Sequence, residues 1–135
     1  MSKIILIISL LASAIFADKL STISTSGLLF KDKLEVHSFE DPDIKGVVCY
    51  VTVPKRSLSF EDPTDSAISC RQVSPISGNI NSRSRIFKQS KNWFVKSMYV
   101  NRIYDKKHNV LIYVSYTDKL SGDNANNSIS VVPIH

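Results

Sequence analysis

Acidic residues are missing from a long central stretch of this chain. Between Ser66 and Tyr104 there is no Asp or Glu, while Arg71, Arg83, Arg85, Lys88, Lys91, Lys96 and Arg102 all lie there. Cysteine is scarce too: the 135 residues contain 2, and Cys49 and Cys70 lack the C-x-x-C spacing of a redox-active dithiol. No serine stands in a nucleophile-elbow context. The acidic segments do not match the calcium-loop pattern, and no nucleic-acid motif occurs. These absences leave no catalytic set, no metal site and no cofactor site to assign. Nucleic acid is not expected as a partner, both for want of a motif and because the export described next removes the chain from most of it.

What is present begins at the N-terminus. Lys3 precedes the apolar run Ile4–Ile8, followed by Ser9-Leu10-Leu11, the small residues Ala12-Ser13-Ala14, and Ile15-Phe16-Ala17 before the charged Asp18. A basic start, an apolar middle and a small-residue end form an export signal. The apolar segment falls short of the roughly 20 residues that span a bilayer, so a cleaved signal is favoured over an anchor. Cleavage is expected after Ala17, with Ala14 the second choice. Residues 18–135 then form a single periplasmic domain, with no transmembrane segment in the mature chain. In an oxidising compartment Cys49 and Cys70 are expected to form a disulfide, whose closure contributes about 3 kcal/mol.

The mature chain reads as strands. Leu34–Phe39, Val47–Val53, Ile68–Val73, Arg85–Lys88, Trp93–Tyr104, Val110–Thr117 and Ile129–Ile134 are rich in β-branched and aromatic residues with a period near two. Turn formers separate them: Asp41-Pro42-Asp43, Lys45-Gly46, Asp62-Pro63, Pro75-Ile76-Ser77-Gly78 and Ser121-Gly122-Asp123. This spacing predicts an all-β fold, mainly an antiparallel sandwich or barrel-like sheet with little helix. One helical turn is expected at most, through Asp65-Ser66-Ala67. The clearest unit is a hairpin pairing Trp93–Tyr104 with Val110–Thr117. Both faces of its second arm carry large apolar residues, which predicts a strand covered on both sides. Cys49 shares a face with Val47 and Val51, and Cys70 with Ile68, so both sulfurs should point inward. Phe39-Glu40-Asp41-Pro42 precedes Cys49 at the interval by which Phe60-Glu61-Asp62-Pro63 precedes Cys70. We read this echo as two acidic turns feeding two strands.

The formal net charge is +5, unevenly spread. Arg83, Arg85, Lys88 and Lys91 are the candidate interaction surface for an anionic partner. The competing reading is that acidic turns pack beside these strands and neutralise them, while alternation spreads the bases over both sheet faces. The acidic-turn candidates are Asp41, Asp43, Asp62 and Asp65. Beside Pro and Gly, they fit backbone-bonding turn residues better than a paired acid site. Glu35 and His37 share a strand face, but no third ligand completes a metal site at recognisable spacing. His108 lies in the hairpin turn and His135 at the terminus, where both should be solvated.

The mature segments resemble the CreA family of exported bacterial proteins. The carriers are Phe39-Glu40-Asp41-Pro42-Asp43-Ile44-Lys45-Gly46-Val47-Val48-Cys49-Tyr50-Val51 and Asp65-Ser66-Ala67-Ile68-Ser69-Cys70-Arg71-Gln72-Val73-Ser74-Pro75-Ile76. Phe94–Ser97, Arg102–Asp105, Tyr116–Lys119 and Asn127–Pro133 continue the likeness. It implies a periplasmic location and a two-cysteine framework, without an activity. Here Pro54-Lys55-Arg56-Ser57-Leu58-Ser59 stands where family members often carry a longer glycine-rich segment. The expected function is a non-catalytic binding or interaction module for an envelope protein or an anionic envelope surface. The alternative is a small envelope enzyme or metal-dependent hydrolase using His37 and the acidic turns.

Overall fold

The computed structural model describes residues 17–26, 32–55, 67–90, 97–117 and 127–135. The export segment before Ala17, the second acidic turn with Asp62 and Asp65, the proposed helical turn and Lys91 lie outside the described residues.

The described residues form eight strands and no helix: β1 Asp18–Ser26, β2 Asp32–Glu40, β3 Ile44–Lys55, β4 Ile68–Gly78, β5 Arg83–Ser90, β6 Ser97–Asp105, β7 Val110–Thr117 and β8 Asn127–Pro133. They make two four-stranded antiparallel sheets in simple sequential order, β1-β2-β3-β4 and β5-β6-β7-β8. Strand β1 has no counterpart in the sequence-based expectation. Its Lys19-Leu20-Ser21-Thr22-Ile23-Ser24 has few apolar residues, and the strand is an exposed edge with irregular register. An edge strand that buries little leaves no alternating pattern to read.

The strongest alternation is in β3, where Val47, Cys49, Val51 and Val53 are buried while Val48, Tyr50 and Thr52 point away. β-Branched residues fit this pleated geometry because their side chains are already restricted about χ1. From the other sheet, Ile86, Phe87, Met98, Val100, Leu111, Tyr113 and Val132 complete the core. The Phe39 and Phe87 rings stack across it at 4.4 Å between centroids. Each such side chain contributes on the order of 1.5–3 kcal/mol when withdrawn from water.

Cys49 and Cys70 lie directly opposite each other on β3 and β4 and are joined by a disulfide. Cys49 is fully buried, and Cys70 packs partly buried against the core. The two sheets also meet along one side. The Cys70 amide donates to Ser130 Oγ at 2.9 Å and the Ile68 amide to Ser128 Oγ at 3.4 Å, tying β4 to β8 through side chains.

Gly46, near the start of β3, shapes the chain's entry into the strand from the acidic turn. Its φ of 97° lies in the left-handed region, and a Cβ there would come within 2.5 Å of the Ser74 carbonyl oxygen. The register of β3 against β4 shifts at this point, between Lys45 and Val47. Gly78 answers from β4 at φ 117°, where a Cβ would lie 2.5 Å from the Asp43 carbonyl oxygen. These two close approaches let β4 draw up against the turn containing Asp41 and Asp43, and the Asn79 amide donates to the Asp43 carbonyl at 3.2 Å.

One expectation needs correction. Strand β7 is an inner strand of its sheet, but it is buried on one face only. Leu111, Tyr113, Ser115 and Thr117 are buried, whereas Val110, Ile112, Val114 and Tyr116 are half-buried. Its second apolar face belongs to a surface, described next.

Candidate functional site

Two features stand out from the framework: a buried charge network between the sheets, and an apolar outer face on the second sheet.

The network begins at the Asp41-Pro42-Asp43 turn. Asp41 Oδ1 accepts the Asp43 amide at 2.9 Å, the local bond that favours Asp in turns. Its side chain is fully buried and also accepts from Arg102 Nη1 at 2.5 Å and from Tyr113 Oη at 2.8 Å. Arg102 projects inward from β6 in the same alternation as Met98 and Val100 and is only 2 % exposed. Its Nε donates to the Asn81 carbonyl at 2.7 Å and its Nη2 to Asp43 Oδ2 at 3.1 Å. Arg83 Nη1 completes the set, donating to both Asp43 oxygens at 3.0 and 2.9 Å from a half-exposed position. Two guanidinium groups thus meet two carboxylates, and the turn of the first sheet is bonded to β6 and β7 of the second.

Protonation follows from this geometry. Burial pushes the Asp43 carboxyl up, but hydrogen bonds and charge from Arg83 and Arg102 outweigh it and hold the group below the usual carboxylate range. Burial, then the charge and hydrogen bond of Asp41, push the Tyr113 phenol well above its ordinary value. Its hydroxyl therefore keeps its proton and remains a donor. Chemically, the arrangement can hold the sheets together, because its carboxylate oxygens are already engaged by donors of the protein.

The other sequence candidates are placed separately. His37 is buried on β2, with Nε2 3.0 Å from Glu35 Oε1, and Glu35 also approaches Lys19 at 3.8 Å. Neither bond joins His37 to the acidic turn. His108 is exposed in the β6–β7 turn, with Nδ1 2.7 Å from Asp105 Oδ2; that hydrogen bond, chiefly, holds the Asp105 carboxyl below its usual range. Among the described residues, no group of three or more His, Cys, Asp or Glu side chains could hold a metal ion.

Of the basic candidates, Arg83 joins the network, but Arg85 and Lys88 do not. The bases are spread over both faces, Arg102 inward and these two outward, although regular alternation would have parted Arg85 from Lys88. The register of β5 against β6 shifts between Arg83 and Phe87, which brings both to one tyrosine. The Arg85 guanidinium lies 3.9 Å from the Tyr99 ring centroid and Lys88 Nζ lies 5.8 Å from it. Tyr99 in turn packs against Tyr116 at 5.5 Å, and Tyr116 Oη donates to Asn101 at 3.0 Å.

Beyond this aromatic pair the outer face becomes aliphatic. Ile103, Ile112 and Val131 lie opposite one another across three strands, and Asn101, Val114 and Ile129 form the next row. Ile103, Ile129 and Val131 are 44 %, 63 % and 51 % exposed. Past Ile103 the hairpin turn adds exposed Lys106 and Lys107. Residue-by-residue reading missed this face because the same period-two pattern describes a covered strand and an exposed one.

The fold and its disulfide define a two-sheet β protein that uses its polar interior for cohesion. The chain belongs to the CreA family: the family model described as CreA protein matches residues 20–135. It is also 41% identical over 114 residues to Protein CreA of Escherichia coli K12, covering 76% of this chain and 73% of the relative. The Protein CreA sequences of E. coli O6:H1 strain CFT073 and of E. coli O157:H7 match to the same extent. No solved structure matches the fold. Among the described residues, no helix is long and apolar enough to cross a membrane.

Proposed function

We propose that this chain is an exported, periplasmic, non-catalytic binding module whose working surface is the outer face of the β5–β8 sheet. The observation that carries this reading is the exposure of Ile103, Ile129 and Val131 on the face that also carries Arg85 and Lys88 over Tyr99. Contiguous apolar surface that a protein leaves in water marks an interaction site. The residues that an enzyme reading would use support binding instead. Asp41 and Asp43 are engaged by Arg102, Arg83 and Tyr113, while His37 sits apart beside Glu35. The export pattern of the first seventeen residues and the Cys49–Cys70 disulfide support a location outside the cytosol.

The test is site-specific photocrosslinking in the native cells. A photoreactive residue at 103 or 129 is expected to form adducts, with protein or lipid, in the cell-envelope fractions, and one at Ser69, exposed on β4 in the first sheet, is not. Equal labelling from all three positions, or a full-length precursor retained in the cytosol, would overturn the proposal.

A further inference from the structure

The order of side chains across the outer face has a direction. The rows Ile103–Ile112–Val131 and Asn101–Val114–Ile129, aliphatic but for Asn101, give way to the Tyr99–Tyr116 pair, where Tyr99, itself only 7 % exposed, lies beneath Arg85 with Lys88 nearby. At the opposite end the next row on this face is Asp105–Val110–Pro133, and beyond it the hairpin turn carries exposed Lys106 and Lys107. Among the described residues of this sheet the one acid is Asp105, already bonded to His108. The charges of Arg83 and Arg102 are met by Asp41 and Asp43, so among the described residues the basic side chains left on this sheet are Arg85 and Lys88 on Tyr99 and Lys106 and Lys107 in the turn.

A bilayer surface has the same sequence of environments: hydrocarbon, then an interface that favours amphipathic aromatic rings, then headgroups. Long basic side chains lay their stems along apolar surface while their charges reach that headgroup layer. Resting on the reading of this face as the binding surface, we infer that its occupant is the surface of an anionic phospholipid bilayer. A second copy of the chain fits poorly, because face-to-face association would set Arg85, Lys88, Lys106 and Lys107 of two molecules together with Asp105, already bonded to His108, as the one described carboxylate of this sheet to answer them. A protein partner would need acids at both ends of its own apolar patch. Mobile anionic headgroups satisfy cations wherever they stand. Two observations are thereby joined: aliphatic side chains kept in water, and a register shift that places two cations on the tyrosine beside them.

The experiment is flotation of the purified, oxidised protein with vesicles of phosphatidylethanolamine containing about one-quarter phosphatidylglycerol, and with vesicles of phosphatidylcholine alone, at rising salt. Binding is expected to the anionic vesicles only and to weaken as salt rises, since about 10 Å of screening length remains at 0.1 M. Each basic residue at the surface is worth roughly a fivefold change in partitioning, so Arg85→Gln with Lys88→Gln should weaken binding roughly 25-fold. Ile129→Ser with Val131→Ser should also release the protein, while both double variants keep the wild-type melting temperature. Equal affinity for both vesicle types, no binding at low salt, or wild-type binding by Arg85→Gln/Lys88→Gln would refute the lipid assignment. If vesicles fail while residues 103 and 129 crosslink to a protein, the lipid inference falls and the binding surface stands. If both experiments fail, both readings fall.

Discussion

Replacing Asp41 with alanine removes, in one step, the acceptor for the Arg102 guanidinium, the Tyr113 hydroxyl and the Asp43 amide. Arg102 would remain 2 % exposed, with Asp43 at 3.1 Å and the Asn81 carbonyl at 2.7 Å as its remaining partners. Breaking a buried pair by removing one member is destabilising by about 3–5 kcal/mol, mostly through the charge left behind. That is a large part of a typical folding free energy of about 5–15 kcal/mol. At roughly 4 °C per kcal/mol for a chain of this size, the melting temperature should fall by about 12–20 °C. Tyr113→Phe removes one hydrogen bond to a charged group and should lower stability by about 2 kcal/mol. Because both side chains meet at Asp41, the double variant should lose less than the sum of the singles, by about 1 kcal/mol or more. Urea unfolding of the oxidised protein, followed by circular dichroism, measures all three. Additivity within about 0.5 kcal/mol, or an Asp41→Ala protein as stable as wild type, would falsify the claim that this cluster joins the sheets.

Three other outcomes follow from the same geometry. Gly46→Ala should destabilise by about 2 kcal/mol or more, because it combines an unfavourable φ with a carbonyl contact; a urea midpoint unchanged from wild type would show that the bulge relaxes. Cys49→Ala with Cys70→Ala should lose about 2–5 kcal/mol, and thiol alkylation of the native protein should occur only after reduction. The Asp43 carboxyl is held low in the folded state, so its contribution is present above the ordinary aspartate value near about 4 and fades as pH falls through the lower folded value. Asp43→Asn should therefore flatten part of the acid limb of the stability curve between about pH 5 and 2, and an unchanged acid limb would count against the ion pairs with Arg83 and Arg102.

The strands were readable where burial imposed a rhythm. Val47-Val48-Cys49-Tyr50-Val51 alternates because one side packs in the core, and β3 and β4 turn both cysteines inward as that rhythm requires. Strand β1 left no such mark, since its edge position asks little of its side chains. The acidic turn around Pro42 was legible as a turn that neutralises nearby bases, and Asp41 and Asp43 do meet Arg83 and Arg102. That Arg102 is buried was written in its spacing from Val100 and Met98, yet its charge conceals that position from any scale that ranks residues by hydrophobicity. The gathering of Arg85 and Lys88 on Tyr99 depends on a register shift, which comes from how two strands pair and not from the residues of either alone.

Ser128 and Ser130 give the seam between β4 and β8 a further property. A bare strand margin offers its amides to any extended chain that drifts past, the usual route to runaway stacking. Here two of those amides are already occupied by hydroxyls of the same molecule, which cannot pass the pairing onward as a carbonyl ladder would. The protein thus stops growing sideways at this flank without closing into a ring.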